Sequence, residues 1–314
     1  MAEREQPPRL SVVVFLRQVP ETISETLSSL ARQELFENTE VILADGSPEG
    51  AGEALRESFP WVRLLSLTPG KTSRRSPSGA MPFLKGEAIR AARAEVVAIL
   101  DPLDAAEPGW IRELLDGLAD ESVAAVGGAV ILDGPATAAN RAAYLFEYGA
   151  FNPPIEAGCT DGDLPGNNVA YRRRLLVEDC GDILDREGFN KPFVHQRIRE
   201  RQGKLVLRAG MRVRHLSRHR FLPFAVRRFH YGRCFGAVRW RRSPFRQRLL
   251  YGLGAPAVPA WLMVRHLLRS FRHPVNRRYL LHAAPALLGI CLFWGLGEWI
   301  GYWFGAGRSC ERLY

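Results

Sequence analysis

Two aspartates close an apolar run in the stretch AILDPLDAAEPGW (98–110), Asp101 and Asp104, just before a Pro-Gly-Trp turn. Carboxylates at that spacing either hold a divalent cation, Mg²⁺ or Mn²⁺, through their oxygens, or merely solvate the turn. A second polar strand end, Asp45-Gly46-Ser47, follows VILA. The loop EAGCTDGDLPGNNVAYRRRLL (156–176) brings Gly166, Asn167 and Asn168 together, with Asp161 and Asp163 ahead of them. Paired side-chain amides either hold a turn or exchange hydrogen bonds with hydroxyl groups. Further on, Asp185 and Glu187 precede the helix-like FVHQRIRERQGKL with its His195, a set from which a proton acceptor could be drawn.

These groups are positioned by short β-rich runs alternating with helical ones: SVVVFL, TISETLSSLARQ, TEVILAD, GEALRESF, VRLLSL, FLKGEAIRAARA and EVVAIL. Strand, helix, strand at this spacing predicts an α/β fold, a mostly parallel sheet with helices on both faces. The strands are nearly unbroken Val, Ile and Leu, as burial on both faces requires. Ligands of such sheets bind at the carboxyl ends of the strands, which is where Asp45 and Asp101 fall. The loop TPGKTSRRSPSGAMP (68–82) reads as exposed and basic beside that crevice. Its GKTS is not a phosphate loop, because Leu65 stands where the pattern needs a glycine.

The chain has 314 residues, 46% hydrophobic and 24% charged, enough for a substantial core. Its net charge of +10 is uneven: residues 201–297 hold 20 Lys plus Arg and no acid, which implies anionic surroundings. RFLPFAVRRFHYGRCFGAVRWRR (220–242) interleaves aromatics with arginines, the pattern of an interfacial helix. LLYGLGAPAVPAWLMV (249–264) is short for a span and has arginines on both flanks, so a re-entrant or interfacial hairpin is expected. YLLHAAPALLGICLFWGLGEWIGYWFGAG (279–307) is long enough to cross, with Glu298 expected to reach the interface. Fusion of the basic segment to apolar stretches argues for membrane lipids as partner and against nucleic acid. The six-residue apolar run after an acidic, proline-bearing N-terminus is too short for a signal peptide. Cys159, Cys180, Cys234, Cys291 and Cys310 show no metal-ligand or disulfide spacing, so a reduced compartment is expected.

SVVVFL, TISETLSSLARQ and VILADGSPEG, then GEAIRAARAEVVAILDPLD, PGNNVAYRRRLL and HYGRCFGAVR, resemble in order and spacing the segments of family 2 glycosyltransferases, over roughly residues 10–240. The resemblance implies a GT-A-like catalytic domain (8–207), a basic interfacial segment (208–248) and a membrane region (249–314) with a span at 280–305. It implies a nucleotide-diphosphate sugar donor, inversion, a lipid-linked or polysaccharide acceptor, and a catalytic domain on the cytoplasmic side of an inner or plasma membrane. It assigns Asp45 and Ser47 to the nucleotide, Asp101 and Asp104 to the ribose and a divalent cation, Arg233 to the diphosphate, and Gly166, Asn167 and Asn168 to the acceptor. The family's DxD pattern is displaced, since Leu103 holds its second position and Asp104 lies one along. Its catalytic base is also missing: Asn190 and Lys191 stand at the aligned positions, and Glu187 is the nearest substitute, with His195 expected to be structural or to contact substrate. A chain that keeps the fold and binds sugar nucleotides or lipid without turnover is the alternative. A nucleotidyltransferase ranks lower, because SVVVFLRQVPET lacks that class's glycine cluster.

Overall fold

The computed structural model describes residues 7–47, 50–67 and 81–313, with the side chains of Met81 and Glu187 excepted. The basic loop 68–80 lies outside the described residues. The chain divides into two compact units, one of residues 1–131 and 153–216, the other of 132–152 and 217–314.

The first unit is built on one sheet. Strands β1 (Leu10–Leu16), β2 (Thr39–Asp45), β3 (Val62–Ser66) and β4 (Val96–Leu100) alternate with helices α1 (Ile23–Ala31), α2 (Gly52–Ser58) and α3 (Met81–Ala91). Three pairings, β1 with β2, β1 with β4 and β2 with β3, are parallel. All seven residues of β1 are buried, which explains why its sequence is apolar on both alternating sets. Next come β5 (Asp104–Ala106), α4 (Trp110–Gly117), β6 (Val123–Leu132) and, in the other unit, α5 (Ala138–Glu147). The first unit resumes with β7 (Gly158–Cys159), β8 (Asn168–Arg172), α6 (Gly181–Glu187), α7 (Lys191–Glu200) and β9 (Lys204–His215).

Among the described residues the sheet order is β3-β2-β1-β4-β8-β6-β9-β5, with β7 also paired to β9. From β4 outward the pairings of β4 with β8, β6 with β8, β5 with β9 and β7 with β9 are antiparallel, so the expectation of a mostly parallel sheet holds only for the first four strands. The turn to antiparallel has a consequence for the site. Leu100 faces Asn168 across β4 and β8, which sets Asn167 beside Asp101, and Asp104 faces His215 across β5 and β9. The domain boundary expected at 207 therefore falls inside a strand that the site requires.

The second unit is helical: α5, α8 (Phe221–Arg242), α9 (Phe245–Gly254), α10 (Val258–Arg272) and α11 (Pro274–Phe304). A core of Ala142, Leu145, Phe224, Leu280, Leu287 and Ile290 joins α5, α8 and α11. The apolar stretch 249–264 is two helices broken at Ala255–Ala257, where Pro256 removes a backbone donor. α11 is the one described helix long and apolar enough to cross a membrane, with Pro285 inside it. Glu298 does not stand alone near its end. Its carboxylate accepts hydrogen bonds from Trp294 Nε1 (3.0 Å) and Tyr302 Oη (2.5 Å), and Arg239 of α8 lies 3.7 Å away. Cys234 and Cys310 are joined by a disulfide, which corrects the expectation of unpaired cysteines. The partners stand 76 residues apart, so no local spacing announced them.

Candidate active site

Asp45 ends β2, and the backbone of the following helix shapes its surroundings. Ser47 N–H donates to one carboxylate oxygen (2.8 Å) and Gly52 N–H, at the start of α2, to the other (2.7 Å). A side chain at Gly52 would stand 2.8 Å from Asp45 Oδ2, so glycine is what permits the approach. Ser47 Oγ in turn accepts from Ala51 N–H (3.0 Å). Both side chains are buried and bind their own loop, fixing the turn at the crevice edge.

The turn after β4 is pinned from three sides. Thr22, just before α1, and Thr26 within it both donate to Pro102 O (2.9 and 3.0 Å), Asp101 N–H donates to Asn167 O (3.3 Å), and Asp101 Oδ1 accepts from Leu103 N–H (3.1 Å). Asp101 stays partly exposed. Asp104 is different: it is fully buried, with Oδ1 2.6 Å from His215 Nδ1 and Oδ2 accepting from Asn167 Nδ2 at 2.8 Å. Burial pushes its carboxyl up to about 6, against the opposing pull of His215. The expected pair of mouth carboxylates is thus not what β5 presents. Strand pairing commits Asp104 inward, where it orients His215 and Asn167.

The two asparagines have separate tasks. Asn168 is fully buried; its amide donates to Ala129 O (3.0 Å) and Met211 O (2.9 Å), and its oxygen accepts from Trp110 Nε1 (2.8 Å). The side chain expected to meet an acceptor instead ties β6, β8, β9 and α4 together. Gly109, at φ +81°, supplies the left-handed turn that starts α4 and delivers Trp110 to it. Asn167 is also buried, and its Oδ1 has no hydrogen-bond partner among the described residues.

Four residues earlier stands a cluster that spacing did not reveal. Lys191 Nζ, at the N-terminus of α7, donates to Asp163 Oδ2 (2.6 Å) and Leu164 O (2.5 Å). His195, one turn further along α7 and fully buried, joins Asp163 Oδ1 through Nδ1 and Tyr171 Oη through Nε2 (2.7 Å). Although burial opposes its ionisation, the hydrogen bond from His195 and the charge of Lys191 hold the Asp163 carboxyl well below the usual carboxylate range. Burial lowers both the Lys191 ammonium and the His195 imidazole. On α3, Lys85 lies over the Phe15 ring (5.1 Å), in electrostatic reach of Asp101 and Lys191.

The remaining expected residues are more scattered. Glu187 is the last residue of α6, and its side chain lies outside the described residues. Asp185 pairs with Arg90 at 2.6 Å. Arg233 belongs to the helical unit and donates from Nε to Gly305 O (2.9 Å). Gly166 leaves room beside Lys191, whose Cδ would be 3.8 Å from a side chain started there.

Among the described residues, no three His, Cys, Asp or Glu side chains converge as a metal cage. Magnesium-type sites at phosphates, however, use one or two carboxylates and complete their shell with substrate oxygens and water. The donors here fit that arrangement in kind: the partly exposed Asp101 carboxylate, and the amide oxygen of buried Asn167, which has no hydrogen-bond partner among the described residues, on two residues joined through their backbones.

The model of the family described as Glycosyl transferase family 2 matches residues 11–179. Among solved structures, the mannosyltransferase PcManGT from Pyrobaculum calidifontis, in complex with GDP-Man and Mn²⁺, is similar at a TM-score of 0.61 and 16% identity, covering 95% of this chain and 88% of that one. GalNAc-T7, with UDP, GalNAc and Mn²⁺, is similar at a TM-score of 0.50 and 15% identity, covering 68% of this chain and 45% of that one. No curated protein matches the sequence significantly. The expected GT-A-like fold stands on this likeness.

Proposed function

The chain belongs to glycosyl transferase family 2, and we propose that it transfers a sugar, with inversion, from a nucleotide-diphosphate donor to a lipid-linked or glycan acceptor at the cytoplasmic face of an inner or plasma membrane. One observation carries the reading: Asp45 and Asp101 stand at the carboxyl ends of β2 and β4, the two parallel neighbours of β1, and the β8 register brings the Asn167 carbonyl against the Asp101 amide. The donors of the structural neighbours, GDP-mannose and UDP with GalNAc, support a nucleotide-sugar partner.

In this proposal the Asp45–Ser47 turn cradles the nucleoside, since its carboxylate is fixed by backbone donors before any ligand arrives. Asp101 faces the ribose and, with Asn167 Oδ1, holds a divalent cation. Such a cation, when bound, offsets the charge that gathers on the departing diphosphate. Asp104 acts from behind, keeping the Asn167 amide and the His215 ring in place. The acceptor approaches along the Gly166 side. Membrane attachment rests on α11 and on the arginine-rich helices before it.

Calorimetry with GDP and UDP, with and without Mn²⁺, tests the reading. The wild type binds at least one of them more tightly with Mn²⁺, and Asp101→Ala weakens that binding by about 10- to 100-fold. A wild type that binds neither nucleotide sinks the proposal. The rival of a non-catalytic binder has its own observations, Leu103 at the second DxD position and Lys191 where a base is expected. It predicts nucleotide binding without release of nucleotide diphosphate from any sugar donor.

A further inference from the structure

The base missing from the α7 N-terminus is replaced in space rather than lost. We propose that Asp163 is the catalytic base of this enzyme, supplied by the loop before β8 and held in place by Lys191 and His195. The inference rests on the glycosyltransferase reading and adds to it the group that takes the acceptor's proton.

Three geometric facts carry it. Lys191 occupies the position where the resemblance calls for an acid, and its ammonium is bonded to the Asp163 carboxylate, so the negative charge absent from α7 returns to the same place from a segment 28 residues earlier. The carboxylate is oriented at both oxygens, by Lys191 on one and by His195 on the other, yet its side chain remains 42% exposed. His195 is itself anchored by the buried Tyr171 hydroxyl on β8. A solvent-facing carboxylate with a fully ordered back is placed to serve chemistry rather than only to solvate a turn. Finally, Asp163 lies four residues before Asn167, whose carbonyl accepts from Asp101 N–H, and Lys85 lies in electrostatic reach of both Asp101 and the Lys191 that holds Asp163, which sets the carboxylate on the Asp101 side of the sheet.

Glu187, by contrast, closes α6, on the far side of the Gly188 turn from Lys191, and Asp185 is bound to Arg90. In the proposed step the acceptor oxygen forms its bond to the anomeric carbon as the bond to the donor's β-phosphate oxygen breaks. The electron pair leaves with the nucleotide diphosphate, and the acceptor's proton passes to Asp163. A transition state with oxocarbenium character makes that hydroxyl acidic late in the step, so even a weakly basic carboxylate can take its proton. Lys191 and His195 are positioning residues, and they keep Asp163 ionised at neutral pH.

The test measures release of nucleotide diphosphate from a panel of GDP- and UDP-sugars with Mn²⁺, water standing in for the acceptor, using the full chain in detergent. Asp163→Asn lowers turnover by about 100-fold or more, while the affinity for GDP or UDP and the melting temperature stay near wild type. Formate restores part of the activity of Asp163→Ala, which a merely structural carboxylate would not allow. Lys191→Met removes the cation that depresses Asp163, so the acid limb of the pH–rate profile moves to higher pH. Turnover of Asp163→Asn within about threefold of wild type, with Glu187→Gln inactive, overturns the assignment and leaves the glycosyltransferase reading intact. Nucleotide binding by the wild type without turnover of any donor overturns the assignment in favour of the binding-protein rival. Failure of the wild type to bind nucleotide removes the reading on which it rests.

Discussion

At the scale of single residues the site is a buried polar network with one working edge. Asp104, Asn168, Trp110 and His215 are all nearly inaccessible; hydrogen bonds join Asp104 of β5 to His215 of β9, and Asn168 of β8 to Trp110 of α4 and to backbone carbonyls of β6 and β9. Their polar groups stabilise the fold only while each is matched, because an unmatched buried group retains its full desolvation cost. Trp110→Phe isolates this effect: it keeps most of the apolar bulk but leaves Asn168 Oδ1 facing a ring edge that cannot donate. The variant loses about 1–3 kcal/mol of stability, read by urea unfolding. Its affinity for GDP or UDP stays near wild type, since Trp110 lies behind the crevice. A variant as stable as wild type removes the network from the account of how Asn168 is held. Asp101 and Asp163 respond in the opposite way, with function changing and stability little affected, because both are partly exposed and held by backbone or by paired charges.

At the scale of elements, what was legible in the sequence followed locality. The four parallel strands and their helices are contiguous apolar and amphipathic runs, and the positions of Asp45 and Asp101 follow from where those runs end. The antiparallel half was not legible, because its register pairs Leu100 with Asn168 and Asp104 with His215, and nothing local to either sequence carries that information. The same holds for Lys191 with Asp163 and for Cys234 with Cys310. In the helical unit the close approach of two helices rests on glycines that carry no local signal. Gly232 and Gly236 of α8, four apart, abut the backbone of Trp294 and Glu298 on α11, and Gly297 and Gly301 of α11, also four apart, abut that of Phe229, Arg233 and Ala237 on α8, so the two backbones touch. A side chain at Gly232 would stand 2.3 Å from Trp294 O, and one at Gly301 2.3 Å from Arg233 O. Gly232→Leu and Gly301→Leu therefore separate α8 from α11 at a cost of about 1–3 kcal/mol or more each. The measurement is thermal unfolding in detergent, with Gly254→Ala as control because nothing lies within 4 Å of that position. A melting temperature for Gly232→Leu equal to the control's contradicts the close packing.

At the scale of the whole molecule, the distribution of apolar surface separates a membrane partner from an aqueous one. Within the helical unit, Leu281, Leu288, Leu292, Leu296, Trp299 and Trp303 recur along α11 at helical spacing and are all exposed, as are Trp261, Val264, Leu268 and Phe271 of α10. Phe245, Leu250 and Phe304 are more than two-thirds exposed. Apolar rows of this extent are not expected to face water in a soluble protein. Arg265, Arg269 and Arg272 lie along the same face of α10 as Trp261 and Leu268, together lining a cavity of about 420 Å³, a mixture that suits a headgroup boundary with anionic lipid. Coulombic attachment alone would be lost at 1 M salt, where screening acts over about 3 Å, whereas buried apolar rows would hold. The full chain is therefore expected to remain with membranes through 1 M salt and to be released by detergent. Leu288→Asp combined with Leu292→Asp, each charge costing about 2.5–3.5 kcal/mol within a spanning helix, shifts the protein toward the supernatant. Quantitative release of the wild type by salt alone would assign these helices to a surface association, with the arginines rather than α11 as the anchor.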